Sequence, residues 1–151
     1  MPEDATPRQL AQAITCVIEQ ERERRGRSSV QTSTRLAKAA QTHARDMVVH
    51  TYFDHHAPDG SSVADRARRT GYLSGVGTWR VGEVLAWGVG PTGSPRGTVR
   101  AWLHSPPHRA VLLDPAYRDV GLAVVDGAPR PGATPDAATA VAVFGRRGPA
   151  Q

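Results

Sequence analysis

In the first half of the chain, apolar side chains recur at steps of three and four residues, which is the period of an α-helix. Leu10, Ile14 and Ile18 form one such stripe, and another runs from Leu36 to Met47. Serine or threonine residues that can cap a helix precede these stripes. The pattern therefore predicts helices at residues 7–25, 34–50, 63–70 and 95–104, with a short helical turn at 108–113.

The second half of the chain carries the pattern of β-strands. Residues 82–87 alternate between two faces, and Glu83 and Leu85 share one of them. Residues 120–125 form a second apolar strand, and the almost wholly apolar run at 138–144 predicts a central strand that is buried on both faces. Because helices come first and strands come late, the predicted class is α+β, with helices packed on an antiparallel sheet.

Glu83 is an acidic residue within an otherwise apolar strand. It shares its face with Leu85 and Trp87, and burial of a carboxylate there costs free energy unless the charge is paired. Two interpretations stay open: a surface strand whose Glu83 points to water, or a carboxylate placed in a cleft. Gly/Pro-rich loops are expected at residues 88–93 and 126–135.

Length and composition indicate a single folded domain of 151 residues. Apolar residues make up 39% and charged residues 22% of the chain, which is typical of a globular protein rather than a disordered one. No apolar run approaches the roughly 18 residues that a membrane-spanning helix needs. The first residues lack the basic start and apolar core of a signal peptide. We therefore expect either a cytosolic protein or a secreted domain without its leader.

The net charge is +5, and charged residues are densest between Glu19 and Arg25. Acidic residues interrupt this run and no aromatic residues interleave it, so nucleic-acid binding is not expected. The mixed signs instead predict a solvated helix end with pairs four residues apart, such as Glu21 with Arg25. The arginines of the third predicted helix, Arg66 among them, are also expected to lie in solvent.

The single cysteine, Cys16, has no partner for a disulfide within this sequence. Its place on the apolar side of the first predicted helix favours a buried small hydrophobe. The alternative is a disulfide with a cysteine in a segment that precedes this sequence in the natural protein.

All six histidines lie between His43 and His108, which suggests one site drawn from the middle of the chain. His43 falls on the apolar stripe of the second helix and is predicted to be a hydrogen-bonded core residue rather than a ligand. His50 lies near the end of that helix, where a positive charge suits the helix dipole. His56 and His104 are neighbours of the candidate positions, and both are expected to be exposed.

Four motifs, in this order, resemble the bacterial branch of the CAP family, which comprises cysteine-rich secretory proteins, antigen 5 and pathogenesis-related proteins. They are LAKAAQTHARDM at residues 36–47, YFDH with PDG at 52–55 and 58–60, GEV at 82–84, and WLHSPPHR at 102–109. Two later pairs, VG at 120–121 and FG at 144–145, also match the family's strands. The resemblance covers about residues 8–147 and implies one CAP domain over residues 1–151.

The resemblance implies a three-layer α-β-α sandwich with a small central antiparallel sheet. Its central cleft would hold His55, Glu83 and His108, and some members of the family bind zinc there. Neutral imidazoles suit Zn²⁺, and Glu83 would bind the metal, orient a histidine or act as a base on bound water. The sequence departs from the family's pattern in two places. It offers no second glutamate shortly after Trp102, and Val84 stands where the family has an asparagine.

Three functions are open for a protein of this family. The first, which we expect, is a monomeric secreted or envelope-associated domain that binds an extracellular ligand, a lipid or another cell-envelope component. The second is a metal-dependent hydrolase, such as a peptidase, with His55, Glu83 and His108 as its catalytic residues. The third is a structural or signalling module with a vestigial cleft. A serine nucleophile at Ser105 is disfavoured, because the Ser-Pro-Pro run is better explained as a helix stop.

Overall fold

The computed structural model describes residues 5–89, 93–132 and 136–149. The helices are α1 (Pro7–Arg24), α2 (Thr34–His50), α3 (Val63–Arg69), α4 (Pro95–Leu103) and α5 (Pro106–Leu112). The strands are β1 (Gln31–Thr32), β2 (Trp79–Val89), β3 (Asp119–Asp126) and β4 (Ala137–Arg147). Parts of both predicted Gly/Pro-rich loops, residues 90–92 and 133–135, lie outside the described residues.

Short polar side chains begin the helices where the sequence predicts them. The Thr6 side chain accepts a hydrogen bond from the backbone nitrogen of Gln9, whose own side chain accepts one from the Thr6 backbone. The side chains of Ser33, Ser62 and Ser94 likewise accept a hydrogen bond from a backbone nitrogen in the first turn of α2, α3 and α4, and in α3 the bond is again reciprocal. Because each cap satisfies backbone donors that the first turn leaves without partners, the starts of these helices are fixed locally.

The sheet has four strands in the order β1-β3-β4-β2. The apolar strand β4 pairs antiparallel with both β2 and β3, so the predicted central strand is confirmed. The two-residue strand β1 adds a parallel pair beside β3 that no pattern in the sequence predicts. Two residues are too few to show a period, and the segment joins the sheet through backbone hydrogen bonds from Gln31 to Arg118 and from Ser33 to Val120, both at 2.8 Å.

Each face of the sheet carries its own apolar core and helical layer. On one face, Trp102 and Ile18 belong to an apolar cluster that α1, α4 and α5 form with the strands. On the other face, Met47, Ala67 and Leu85 belong to a cluster that joins α2 and α3 to the sheet. Because successive residues of a strand point to opposite faces, each strand contributes side chains to both cores. The predicted α-β-α sandwich is confirmed.

Two predictions about α1 are wrong. Cys16 is exposed rather than buried. Arg22 lies in the densely charged run that was expected in solvent, yet it is fully buried, and its guanidinium donates to the carbonyl oxygens of Ser28, Leu112 and Asp114. The position follows from helical spacing, since Arg22 comes one turn after the buried Ile18.

Candidate functional site

Glu83 lies on the edge strand β2, and its side chain is buried. On the same face of β2, Leu85 and Val81 pack with the layer that α2 and α3 form. The surface-strand interpretation of Glu83 is therefore wrong. A buried carboxylate needs a countercharge or several hydrogen bonds, so its partners define the site.

The countercharge is Arg66, on the facing helix α3. Its Nη2 donates to Glu83 Oε2 at 2.9 Å, and the two side chains are only 4% and 1% exposed. The expectation that Arg66 lies in solvent is wrong. A sequence signal for its burial exists, because Arg66 follows Val63 by three residues and precedes Thr70 by four, which places it on the inner face of α3.

The second partner of Glu83 is His55, whose Nδ1 lies 2.9 Å from Glu83 Oε1. Because a carboxylate only accepts, Nδ1 carries the proton and Nε2 is directed away from Glu83. The His55 side chain is 50% exposed, so this imidazole connects a buried charge pair with the solvent. The hydrogen bond with Glu83 raises the pKa of His55 above its usual value, in spite of partial burial.

Two buried side chains fix the loop that carries His55. His43 Nε2 lies 2.8 Å from the carbonyl oxygen of Asp54, and Arg66 Nη2 donates to the carbonyl oxygen of His55 itself at 2.8 Å. The prediction that His43 is a hydrogen-bonded core residue is confirmed, and burial lowers its pKa. The position of His55 is thus set by α2 and α3 together, rather than by the loop alone.

His108 comes from the opposite helical layer. It lies in the first turns of α5, which contacts β2, and it is half-buried. Burial lowers the pKa of His108, and the positive charge of His55 lowers it further. His56 and His104 are exposed, as expected. The structure joins His55 directly to Glu83, whereas His108 forms no hydrogen bond with either of them among the described residues. We use the name site cleft for the region of these three residues, His55, Glu83 and His108.

A zinc centre with three protein ligands does not fit these residues. Within the described parts of the chain, no group of three or more His, Cys, Asp or Glu side chains is placed to hold a metal ion. Glu83 has one oxygen bound to His55 and the other to Arg66. The guanidinium beside the carboxylate also disfavours a further cation there. This arrangement favours Glu83 as the group that orients His55.

We expect the pKa values of the two cleft histidines to differ from the usual value of about 6.5 in opposite directions. The pKa of His55 is raised and that of His108 is lowered. The bond to Glu83 therefore stabilises the fold below pH about 6.5, and this contribution is lost as the pH rises through the folded pKa of His55. Burial of neutral His108 acts the other way and costs stability as the pH falls below about 6.5. Imidazole NMR titration checks this order, and a higher pKa for His108 than for His55 would refute it.

The fold and this site define an α-β-α sandwich protein with a carboxylate–imidazole pair at the edge strand of its sheet. The sequence model described as "CAP: Cysteine-rich secretory protein family" matches residues 17–142. The chain therefore belongs to the CAP family, and the resemblance found in its motifs is confirmed. The protein named "Uncharacterized protein YkwD" of Bacillus subtilis (strain 168) is 30% identical over 106 residues, which is 70% of this chain and 38% of that protein. The chain thus spans well under half the length of this relative.

Solved structures with low sequence identity share the fold. An outer surface protein from Borrelia burgdorferi has a TM-score of 0.78 at 20% identity and covers 98% of this chain and 100% of its own. An extracellular protein containing a SCP domain, from Bacillus anthracis, has a TM-score of 0.73 at 23% identity over 93% of this chain and 43% of its own. No helix among the described residues is long and apolar enough to cross a membrane.

Proposed function

We propose that this chain is an extracellular binding domain, and that its site cleft binds a lipid or another amphiphilic component of the cell envelope through an acidic head group. The observation that carries the proposal is the half-exposed His55 anchored on the buried Glu83–Arg66 pair. A fold gains little stability from placing such a pair beneath a solvent-facing imidazole, because desolvation offsets the attraction. A role in ligand binding explains why the pair lies there.

The charge on His55 supports an acidic head group. Glu83 favours the protonated imidazole by accepting a hydrogen bond from Nδ1–H, which leaves Nε2–H of this half-exposed ring as a free donor for a ligand. Charge-assisted hydrogen bonds from a cationic donor to a carboxylate or phosphate are about twice as strong as neutral ones. His108, which is held closer to neutrality, would then add a second, uncharged contact.

An exposed aromatic ring on the same loop supports an apolar tail. Phe53 is 46% exposed and precedes His55 by two residues, although large apolar side chains are mostly buried in this protein. Small-molecule sites combine apolar side chains with a few placed polar groups, and Phe53 and His55 supply one of each. Two structural relatives are an outer surface protein and an extracellular protein, which supports a location outside the cell.

Calorimetric titration with dodecanoate, a soluble single-chain acidic lipid, tests this proposal. We expect wild-type protein to bind it and the His55→Ala/His108→Ala variant to bind about tenfold or more weakly, since a hydrogen bond to a charged group contributes roughly 1.5–3 kcal/mol. Binding should weaken as the pH rises through the pKa of His55, because the imidazole then loses its charge.

The matched control is His56→Ala/His104→Ala, which removes two exposed histidines that neighbour the cleft residues in sequence. It should bind dodecanoate as the wild type does. A neutral detergent with the same chain length separates the head group from the tail and should bind more weakly than dodecanoate. Equal loss in both histidine variants, or unchanged binding in the cleft variant, would overturn the proposal and favour a vestigial cleft.

Hydrolysis is the second candidate, because His55 and Glu83 have the geometry of a base and its orienting group, joined at 2.9 Å. In this case His55 would take a proton from an attacking water molecule. Turnover of a peptide or ester substrate that is lost in His55→Ala, and kept in His56→Ala, would support it. Binding of dodecanoate without turnover would support the binding domain instead.

Zinc in the cleft stays a prediction of the sequence. Titration with Zn²⁺ at pH 7.5, on wild type and on His108→Ala, decides it. Saturable one-site binding that vanishes in the variant would support a metal held by His55 and His108. If the wild type binds no zinc, the metal-dependent hydrolase is excluded and the metal-free interpretations of the cleft remain.

A further inference from the structure

We propose that a second site, a basic groove between α1 and the α4–α5 pair, binds a linear phosphate polymer. The groove has a volume of about 370 Å³, and its charged or ionisable lining comprises Glu21, Arg24, Arg25, Arg96, Arg100 and Arg109, with His104 beside them. It contains none of the site cleft residues His55, Glu83 and His108. The groove therefore offers a binding surface that is separate from the cleft of the proposed function.

Helical spacing brings these arginines together from distant parts of the sequence. Arg96 and Arg100 lie four residues apart on α4 and so share one face. Arg24 and Arg25 come from the end of α1, which packs directly on α4. Arg109 comes from α5, which also packs on α4. Three helices thus present cations to one concave surface.

The charges in this groove are not balanced. Glu21 is its only acidic lining residue, and it already forms ion pairs with Arg24, at 3.2 Å, and with Arg25. The hydrogen bond with Arg25 holds the pKa of Glu21 below its usual value. Arg96, Arg100 and Arg109 are exposed, and among the described residues none of these three has an ion-pair partner. Cations concentrated in a groove attract and orient an anionic partner.

The chemistry of the lining favours phosphate groups repeated along a strand. Each guanidinium presents a planar fork of donors that matches two phosphate oxygens. The apolar lining residues, Val17, Val99 and Leu103, are buried or half-buried, so they offer no side chain for insertion into a lipid bilayer. The lining contains no Phe, Tyr or Trp side chain on which a base could stack, and the His104 imidazole is its only ring, which disfavours nucleic acid. A concave basic groove that offers neither a side chain for membrane insertion nor a Phe, Tyr or Trp ring for base stacking recognises its partner mainly by charge. This fits a linear phosphate polymer.

Binding of fluorescently labelled inorganic polyphosphate tests the proposal. We expect the triple variant Arg96→Gln/Arg100→Gln/Arg109→Gln to bind about tenfold or more weakly than the wild type at low salt, because charge-assisted hydrogen bonds to phosphate are lost. Added salt should weaken wild-type binding steeply, since each neutralised phosphate releases a counterion. His55→Ala/His108→Ala should bind polyphosphate like the wild type, so failure here is distinguishable from failure of the proposed function.

The matched control is Arg8→Gln/Arg45→Gln/Arg146→Gln, which removes the same charge from exposed positions outside the groove. It should keep most of the wild-type affinity. Equal losses in the two triple variants would show attraction by net charge alone and would overturn the proposal. Tighter groove-dependent binding to phosphatidylglycerol vesicles, or to single-stranded DNA of equal charge, would overturn it too, since each points to another class of partner.

Discussion

The Arg66→Met variant is expected to unfold more easily than the wild type by about 3–5 kcal/mol, which is the cost of breaking a buried ion pair by removing one partner. Methionine fills much of the arginine's volume but carries no charge. The Glu83 carboxylate would then stay buried with His55 as its remaining partner. The carbonyl oxygens of His55 and Ser61 would also lose the donors that Arg66 provides. Urea denaturation of both proteins at neutral pH measures the difference.

Arg68→Met, on the same helix, is the matched control. Arg68 forms an exposed ion pair with Asp65 at 3.2 Å, and solvent screens such surface pairs, so its loss should cost far less than the loss of Arg66. The double variant Arg66→Met/Glu83→Leu should be more stable than Arg66→Met alone, because it removes the uncompensated carboxylate. A cost for Arg66→Met no larger than that for Arg68→Met would show that the Glu83–Arg66 pair does not hold the site together.

Local chemistry explains which parts of the fold were predictable. The helices begin at Thr6, Ser33, Ser62 and Ser94 because each cap acts within one turn, so the few residues around it contain the whole signal. The run that became β4 is apolar because it is covered on both faces, and this too is visible in a short window. Strand β1 was missed, since its pairing with β3 depends on contacts between distant parts of the chain.

The site was only partly predictable, for the same physical reason. The Glu83 side chain needed a partner, which its apolar face indicated, but the identity of that partner depends on how α3 docks on β2. Arg66 and Arg22 were expected in solvent because arginine usually is, although helical spacing placed both on buried faces. The prediction for Cys16 was wrong in the opposite direction. Its apolar neighbours in the sequence predicted burial, but the side chain is exposed.

Gly121→Ala is expected to lower the free energy of unfolding by about 3 kcal/mol, the upper end of the usual cost of overpacking a core. Gly121 lies in β3, on the face that also presents Ala123 to α2. A Cβ at this position would lie 2.0 Å from the backbone nitrogen of Ala37 and 2.2 Å from the carbonyl carbon of Leu36. Backbone atoms cannot rotate away as a side chain can, so α2 would have to move off the sheet. Because α2 also carries His43, which holds the His55 loop, cleft binding should weaken together with stability.

Gly82→Ala is the matched control, since it also adds a methyl group to a strand glycine. The nearest atom to a Cβ there is the hydroxyl oxygen of the buried Tyr117, at 2.4 Å, so the clash is with one side chain and not with the backbone of a packed helix. We therefore expect about 1 kcal/mol for this variant, at the lower end of the overpacking range. Urea denaturation measures the free energy of unfolding of both variants. The difference between them compares a clash with backbone atoms and a clash with a side chain. Equal stability of the two variants would show that α2 can change its distance from β3 at little cost. The conclusion that a rigid contact between α2 and β3 positions the His55 loop would then be wrong.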